Sequence, residues 1–289
     1  MSAGVETKMA EGLSREQTER FARDGFHFPI RALETQEAAD GLSRLEAIEA
    51  ARGGRLPPLF NAKPHLLVPW LWEMVHAPRI VDAVEALLGP DLLCWGSSFI
   101  NKSPSDARYV AWHQDVTYWG LSQPEAVTAW VALTPSLPAN GCVRAIPGTH
   151  LKTFAHTDSG DRANLLGRGE KMVEEIDDSQ GVDFVLAPGE MSLHHCLVVH
   201  GSATNHSDLR RVGFAIRYIS SRNSQMNATR NSATLVRGRD FGTFDLEAAP
   251  EGDFHPAAMA RHPEIIRRGM NIIFDGAPKR LAPQERPHG

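Results

Sequence analysis

From residue 92 to residue 219 the chain is a succession of short apolar runs: 92–100, 109–113, 126–134, 142–146, 184–186, 191–200 and 212–219. Gly, Pro and Asn turns separate them, and little helical periodicity lies between. Short strands in this arrangement predict an antiparallel sandwich or barrel, a form able to hold a small ligand at its mouth. Ahead of this region the periodicity is helical. Ser14 followed three positions on by Gln17 is a capping-box pattern, and it opens a helix that stops at Gly25. Residues 26–30 read as a strand. Residues 35–51 read as an amphipathic helix carrying Leu42, Leu45 and Ile48, and a further helix begins at Pro78 and closes at Gly89-Pro90. The stretch between, with Pro57, Pro58, Pro64 and Pro69, reads as irregular.

The expected fold class is mainly β with flanking helices. One domain is expected, with a helical part at about 13–90, a strand core at about 91–220 and a C-terminal extension at about 221–289. Within the core, residues 151–180 are polar and charged and too long for a plain loop, so they read as a functional or mobile cover. Residues 234–238 form a small apolar island, and the ends, 1–12 and 279–289, read as unstructured.

The core also carries a local pattern that points to chemistry. In Trp112-His113-Gln114-Asp115 an imidazole and a carboxylate stand two residues apart in an aromatic run. On an extended strand such residues share a face and can reach one metal ion. An unpaired charge buried there would cost several kcal/mol, which coordination offsets. A third ligand is available from His194, His195 or His200, each plausible by spacing. His194 and His200 share a face if the strand is regular, and His195 faces the other side. The residues after His200 favour His200: Gly201 to Asn205 is turn-like, and Arg211 opens the next strand, which in a hairpin brings its carboxylate-binding fork beside His200. Two histidines and a carboxylate with open positions is the arrangement of non-heme Fe(II) oxygenases.

Composition bounds the alternatives. A net charge of −5 provides no basic field for phosphate backbones, so nucleic acid is not expected as a partner. Three cysteines without CxxC spacing argue against a disulfide framework or a cysteine zinc site, and suit a reducing cytoplasm. The N-terminal residues are polar, and the apolar run at 66–72 is far below the ~18 residues of a membrane span, so a cytoplasmic, unexported protein is expected.

Three blocks in order resemble the phytanoyl-CoA dioxygenase family of Fe(II)- and 2-oxoglutarate-dependent oxygenases. They are Trp112-His113-Gln114-Asp115; Ala129-Trp130-Val131-Ala132-Leu133 with Asn140-Gly141-Cys142 and Ile146-Pro147-Gly148-Thr149-His150; and His200-Gly201-Ser202 with Arg211 eleven positions after His200. The resemblance covers about residues 92–220 and implies a double-stranded β-helix, or jelly roll. It implies Fe(II) held by His113, Asp115 and His200, with 2-oxoglutarate and O2 as cosubstrates and Arg211 pairing with the distal carboxylate of 2-oxoglutarate. Trp130 maps to an aromatic lining the cosubstrate pocket, and Ser202 to a hydroxyl that bonds the cosubstrate carboxylate; a core Trp and a turn Ser are the competing readings. His150 is read as structural. Some related halogenases replace the metal carboxylate with Ala or Gly, so Asp115 favours hydroxylation of a small molecule. Tyr118, Trp119 and the 151–180 cover are expected to face that substrate. A cupin-type metal hydrolase or isomerase without 2-oxoglutarate, and a catalytically silent binding relative, are the rival readings.

Overall fold

The computed structural model describes residues 12–226 and 230–275. The expectations for the two ends lie outside the described residues, except at Gly12. In chain order the elements are α1 (Arg15–Asp24), β1 (Phe26–Arg31), α2 (Thr35–Ala50), α3 (Pro69–Val75), α4 (Pro78–Leu88), β2 (Leu92–Phe99), β3 (Val110–His113), β4 (Ala126–Ala132), β5 (Arg144–Ala145), β6 (His156–Asp158), β7 (Glu170–Met172), β8 (Val182–Asp183), β9 (Glu190–His195), β10 (His200–Ser202), β11 (Gly213–Ser220), β12 (Ser232–Arg237), β13 (Asp245–Leu246) and α5 (Pro256–Ile273).

The strands form a seven-stranded sheet in the order β1-β9-β4-β11-β2-β12-β13 and a four-stranded sheet in the order β3-β10-β5-β8. Pairing is antiparallel except between β12 and β13. The two sheets face each other without closing, an antiparallel sandwich as the strand pattern predicted and the jelly roll that the family resemblance implied. The larger sheet is buried on both sides, and alternation sorts its residues. Val127, Ala129 and Val131 of β4, with Phe214, Ile216 and Tyr218 of β11, meet Leu45, Leu71, Ile80 and Val84 from the helices. Trp130, Ala132 and Ala215 point the other way and meet Ala145 and Val198 between the sheets. Each fully buried leucine or isoleucine of the helical layer contributes about 1.5–3 kcal/mol. Tyr218 locks the layers together, donating its hydroxyl to the Val75 carbonyl at 2.8 Å.

The capping box at Ser14 forms as the sequence indicates, with Gln17 Oε1 accepting from the Ser14 amide at 2.8 Å. Three expectations need correction. Residues 191–200 are not one strand: β9 ends at His195, residues 196–199 turn, and β10 belongs to the opposite sheet. The apolar run continues because Cys196, Val198 and Val199 are buried in that turn, so hydrophobicity alone does not mark the break. Asp115 lies beyond the strand, opening a 3-10 turn over Asp115–Tyr118. Arg211 does not open a hairpin partner of β10, since β10 pairs with β3 and β5 whereas β11 pairs with β2 and β4.

Several elements are additional to the sequence reading. Pro69 starts α3 at its first helical position, where a missing N–H costs nothing. The 151–180 cover contains the β6–β7 hairpin, and α5 runs through an internal Pro263. No helix among the described residues is long and apolar enough to cross a membrane.

Candidate metal centre

His113 closes β3 and pairs directly across the small sheet with His200, which opens β10; their ring centroids are 4.2 Å apart. Both are buried, and backbone carbonyls fix both rings. His113 Nδ1 donates to the carbonyls of Ala111 at 2.9 Å and His200 at 3.0 Å, and His200 Nδ1 donates to Val198 at 3.0 Å. Carbonyls only accept, so Nδ1 carries a proton on both rings, and deprotonated Nε2 atoms would be the ones to face a cation. Asp115 Oδ1 lies 3.5 Å from His113 Nε2 and 3.9 Å from His200 Nε2. Its other oxygen, Oδ2, accepts from Thr128 Oγ1 at 3.0 Å. The turn at 115–118 thus delivers Asp115 to the histidines as effectively as a strand would, and one ligand-capable atom from each residue lies within 4.8 Å of the others. Oriented acceptors backed by bonds to their outer atoms fit a divalent cation.

Electrostatics agree with that donor set. Burial pushes the Asp115 carboxyl up, but the hydrogen bond that a protonated His113 gives it and the nearby Arg217 charge outweigh it, so the group stays ionised far below the usual carboxylate range. Burial, reinforced by His113, holds His200 well below the usual imidazole value and therefore neutral. For His113 burial acts downward too, yet the bond to Asp115 and its charge raise the value on balance.

His194 was the competing third histidine, and the structure brings it to the edge of the cluster. Its Nε2 lies 3.9 Å from Asp115 Oδ2, while burial lowers its pKa to about 4. His195 faces away, its ring 5.4 Å from that of His150. His150 Nε2 bonds the Ala22 carbonyl at 3.2 Å.

Two rows of side chains cross the inner face of the large sheet beneath these atoms. His194 on β9 pairs with Thr128 on β4, Thr128 with Arg217 on β11, and Arg217 with Gly96 on β2. One step along each strand, Ser192 pairs with Trp130, Trp130 with Ala215, and Ala215 with Ser98. Next comes Gly213, where an added Cβ would fall inside the Trp130 ring, so only glycine lets that indole lie flat here. Beyond it sits Arg211, fully buried, its Cζ 5.3 Å from the Trp130 centroid.

Arg211 has a cationic neighbour that the sequence reading did not find. The Lys102 backbone pairs with that of Arg211 in an antiparallel β-bridge, and Lys102 is itself fully buried. Lys102 Nζ donates to Ser202 Oγ at 2.7 Å and to the carbonyls of Ala203 and Gly141, and Arg211 donates to that same Gly141 carbonyl and to Ile100 O at 3.3 Å. Gly141 is fitted to this role by a positive φ of 70° and by the close approach of Lys102 Nζ, 2.9 Å from where a Cβ would be. No carboxylate of the described residues lies within 4.0 Å of either cation. Burial lowers Arg211 to about 10, and burial with the Arg211 charge lowers Lys102 to about 6.

Between this pair and Asp115 runs a line of buried polar atoms without partners among the described residues: Arg211 Nε, Trp130 Nε1, Ser192 Oγ and His194 Nδ1. Each unsatisfied buried group costs about 1–3 kcal/mol. Such a line, cationic at one end and beside three ligand atoms at the other, suits an elongated polar anion.

The expected substrate-facing residues are placed differently from one another. Trp119 is buried and stacks on Trp95 at 4.7 Å. Tyr118 is tied to the cover, donating to Asp158 Oδ1 at 3.0 Å with the Arg168 guanidinium 3.9 Å above its ring. Gln114 clamps the cover from beneath. Its Nε2 donates to Lys152 O at 2.7 Å and Leu197 O at 2.5 Å, and its Oε1 accepts from the Phe154 amide at 2.9 Å. Replacing Gln114 with alanine strands these groups and is expected to destabilise the fold by roughly 2–4 kcal/mol, read as a lowered urea midpoint. A cleft of about 330 Å³ between Glu247 and α5 shares no residue with this set.

Comparison with known proteins gives a consistent result. Residues 21–213 match the family model described as Phytanoyl-CoA dioxygenase (PhyH). A curated relative, the probable alpha-ketoglutarate-dependent hypophosphite dioxygenase of Stutzerimonas stutzeri, is 30% identical over 158 residues, 54% of this chain and 54% of its own length. The chain therefore spans about half of that relative. Among solved structures, the non-heme monooxygenase ThoJ in its apo form is 38% identical with a TM-score of 0.77, over 89% of this chain and 97% of that one. CytC3 with Fe(II) and alpha-ketoglutarate is 25% identical with a TM-score of 0.63, over 84% and 96%. With a family match across two sheets that meet at a His-Asp-His cluster, the chain belongs to the phytanoyl-CoA dioxygenase (PhyH) family of Fe(II)- and 2-oxoglutarate-dependent oxygenases.

Proposed function

We propose that this chain is an Fe(II)- and 2-oxoglutarate-dependent dioxygenase that hydroxylates an unactivated C–H bond of a small molecule. The observation that carries this reading is the line of unpartnered polar atoms joining the His113-Asp115-His200 cluster to the buried Lys102–Arg211 pair. In each turnover one atom of O2 enters the substrate as hydroxyl and the other enters succinate, as 2-oxoglutarate loses CO2. With iron and 2-oxoglutarate bound, the centre supplies an oxidant able to remove hydrogen from such a bond.

The protein's own contribution is positional. His113 Nε2, His200 Nε2 and Asp115 Oδ1 hold the iron. Arg211 and Lys102 receive the distal carboxylate, and Ser202, whose oxygen accepts from Lys102, keeps its own proton for the same carboxylate. Trp130 walls the pocket and offers Nε1 as donor. No side-chain base is needed, because the hydrogen leaves as an atom. Asp115 fills the position that a halide would require, which favours hydroxylation, and Trp119 stands on the substrate side. A hydrolase would have no use for a buried arginine and lysine side by side without a carboxylate.

Two experiments follow. Incubated aerobically with Fe(II) and 2-oxoglutarate, the protein should form succinate slowly even without substrate; iron-dependent activity indifferent to 2-oxoglutarate would overturn the reading. The second concerns pH. Lys102, lowered to about 6, is mostly neutral above that pH, and a bound carboxylate favours its charged form. Binding then takes up a proton, so affinity for 2-oxoglutarate should fall as pH rises above about 6. Lys102→Met should flatten that slope, as measured by calorimetry in buffers of different ionisation enthalpy.

A further inference from the structure

We propose that Arg217 anchors an anionic group of the substrate, so that the molecule oxidised is a carboxylate held between Arg217 and the stacked Trp95–Trp119 pair. This assignment rests on the oxygenase reading of the same site.

The other arginines that are buried or half-buried all reach a carboxylate within 4.0 Å, with one exception. Arg108 meets Asp106, Arg144 meets Asp183, Arg168 meets Asp158, Arg210 meets Glu49, Arg237 meets Asp82 and Glu85, and Arg268 meets Asp245 and Glu264. The exception is Arg211, which faces the same interior and is assigned above to the distal carboxylate of 2-oxoglutarate. Arg217 is half-buried and has no carboxylate that close among the described residues. Among the described residues its one side-chain hydrogen bond is from Nη1 to Ser98 Oγ, at 3.0 Å.

Asp115 feels the Arg217 charge but makes no ion pair with it within 4.0 Å. That carboxylate is engaged by Thr128 at 3.0 Å and lies 3.5 Å from His113. Arg217 stands instead one strand over from Thr128, on the row at the level of the cluster and away from the Arg211 end. Its neighbour across β2 is Gly96, where an added Cβ would meet nothing within 4 Å, so the inner face is open above that partner of Arg217. The Trp119 ring lies 6.0 Å from Arg217 Cζ, and Trp95 stacks on it with Ala126, Ile219 and Leu93 behind. A planar fork next to an aromatic wall binds a carboxylate bidentately and shields it from water. A ligand fixed there places its neighbouring carbons toward His113, Asp115 and His200.

The test uses the visible band of the anaerobic Fe(II)–2-oxoglutarate complex. It is titrated with C3–C6 carboxylic acids and α-amino acids and, in parallel, with the primary amide of each. The expected result is that acids shift the band at concentrations ~10-fold or more below their amides. Arg217→Gln should form the band yet lose that preference, and Arg217→Lys should keep the preference with weaker affinity. If acids and amides act alike, or no probe shifts the band, the assignment is overturned. It is equally overturned if the folded Arg217→Gln protein, its melting checked, loses the band itself, since the arginine then serves the iron or 2-oxoglutarate. A wild-type protein without any band overturns the oxygenase reading first, and this assignment with it.

Discussion

Arg211→Met is expected to weaken 2-oxoglutarate binding on the order of 100-fold or more while leaving the melting temperature of the ligand-free protein unchanged or higher. The two effects have one cause. Arg211 is fully buried beside Lys102, with Nε unpartnered and its other donors on the Gly141 and Ile100 carbonyls. Burial lowers its pKa to about 10, a sign that its charge is unfavourable in the empty pocket. Replacing a buried charge by an apolar side chain of similar volume is often neutral or stabilising. The same replacement removes one partner of a desolvated ion pair from the complex, which costs about 2–5 kcal/mol of affinity. A purely structural arginine would behave in the opposite way, losing stability with no change in 2-oxoglutarate binding. Calorimetric titration and thermal melting of the one variant separate the two cases.

His113→Ala should abolish both iron binding and succinate formation. His113 and His200 are directly paired across β3 and β10, and their Nε2 atoms converge with Asp115 Oδ1. Removing one leaves two donors for a cation that the site was shaped to hold with three. Loss of a partner that merely orients a ligand typically costs 10–100-fold in metal affinity, so loss of a ligand itself should exceed ~100-fold. Thr128→Val provides the graded comparison, because it deletes only the 3.0 Å donor to Asp115 Oδ2. It should weaken iron by ~10–100-fold and leave measurable turnover. Substantial succinate formation by His113→Ala would remove the metal assignment.

The strand-rich core, the first helices and the His113-Asp115-His200 set were legible because each depends on local pattern. The Ser14 cap, each short apolar run between turn residues and the HxD spacing are each written within a few residues. Arg211 was named from its distance to His200 and from the family resemblance, although the hairpin geometry offered for it does not exist: it lies just ahead of β11, bridged to Lys102. Lys102, Ser192, His194 and Arg217 were not legible as a set. Their strands are buried on both faces, so polar residues at alternate positions do not reveal which side is the interior of the jelly roll. Only the pairing of β9, β4, β11 and β2 aligns them in rows. The break between β9 and β10 was hidden for a related reason, since Cys196, Val198 and Val199 are as buried in a turn as they would be in a strand. The helix α5 was hidden by Pro263, which reads as a breaker yet sits within the helix.

In the proposed enzyme iron and 2-oxoglutarate share one interior, iron at His113, Asp115 and His200 and the distal carboxylate at Arg211 and Lys102. The most direct test of this arrangement is anaerobic addition of 2-oxoglutarate to the Fe(II)-loaded protein, followed in the visible spectrum. The expected result is a metal-to-ligand charge-transfer band that saturates at one 2-oxoglutarate per protein, is absent from His113→Ala and requires far more 2-oxoglutarate in Arg211→Met. A wild-type protein that binds iron but shows no band at saturating 2-oxoglutarate would contradict it.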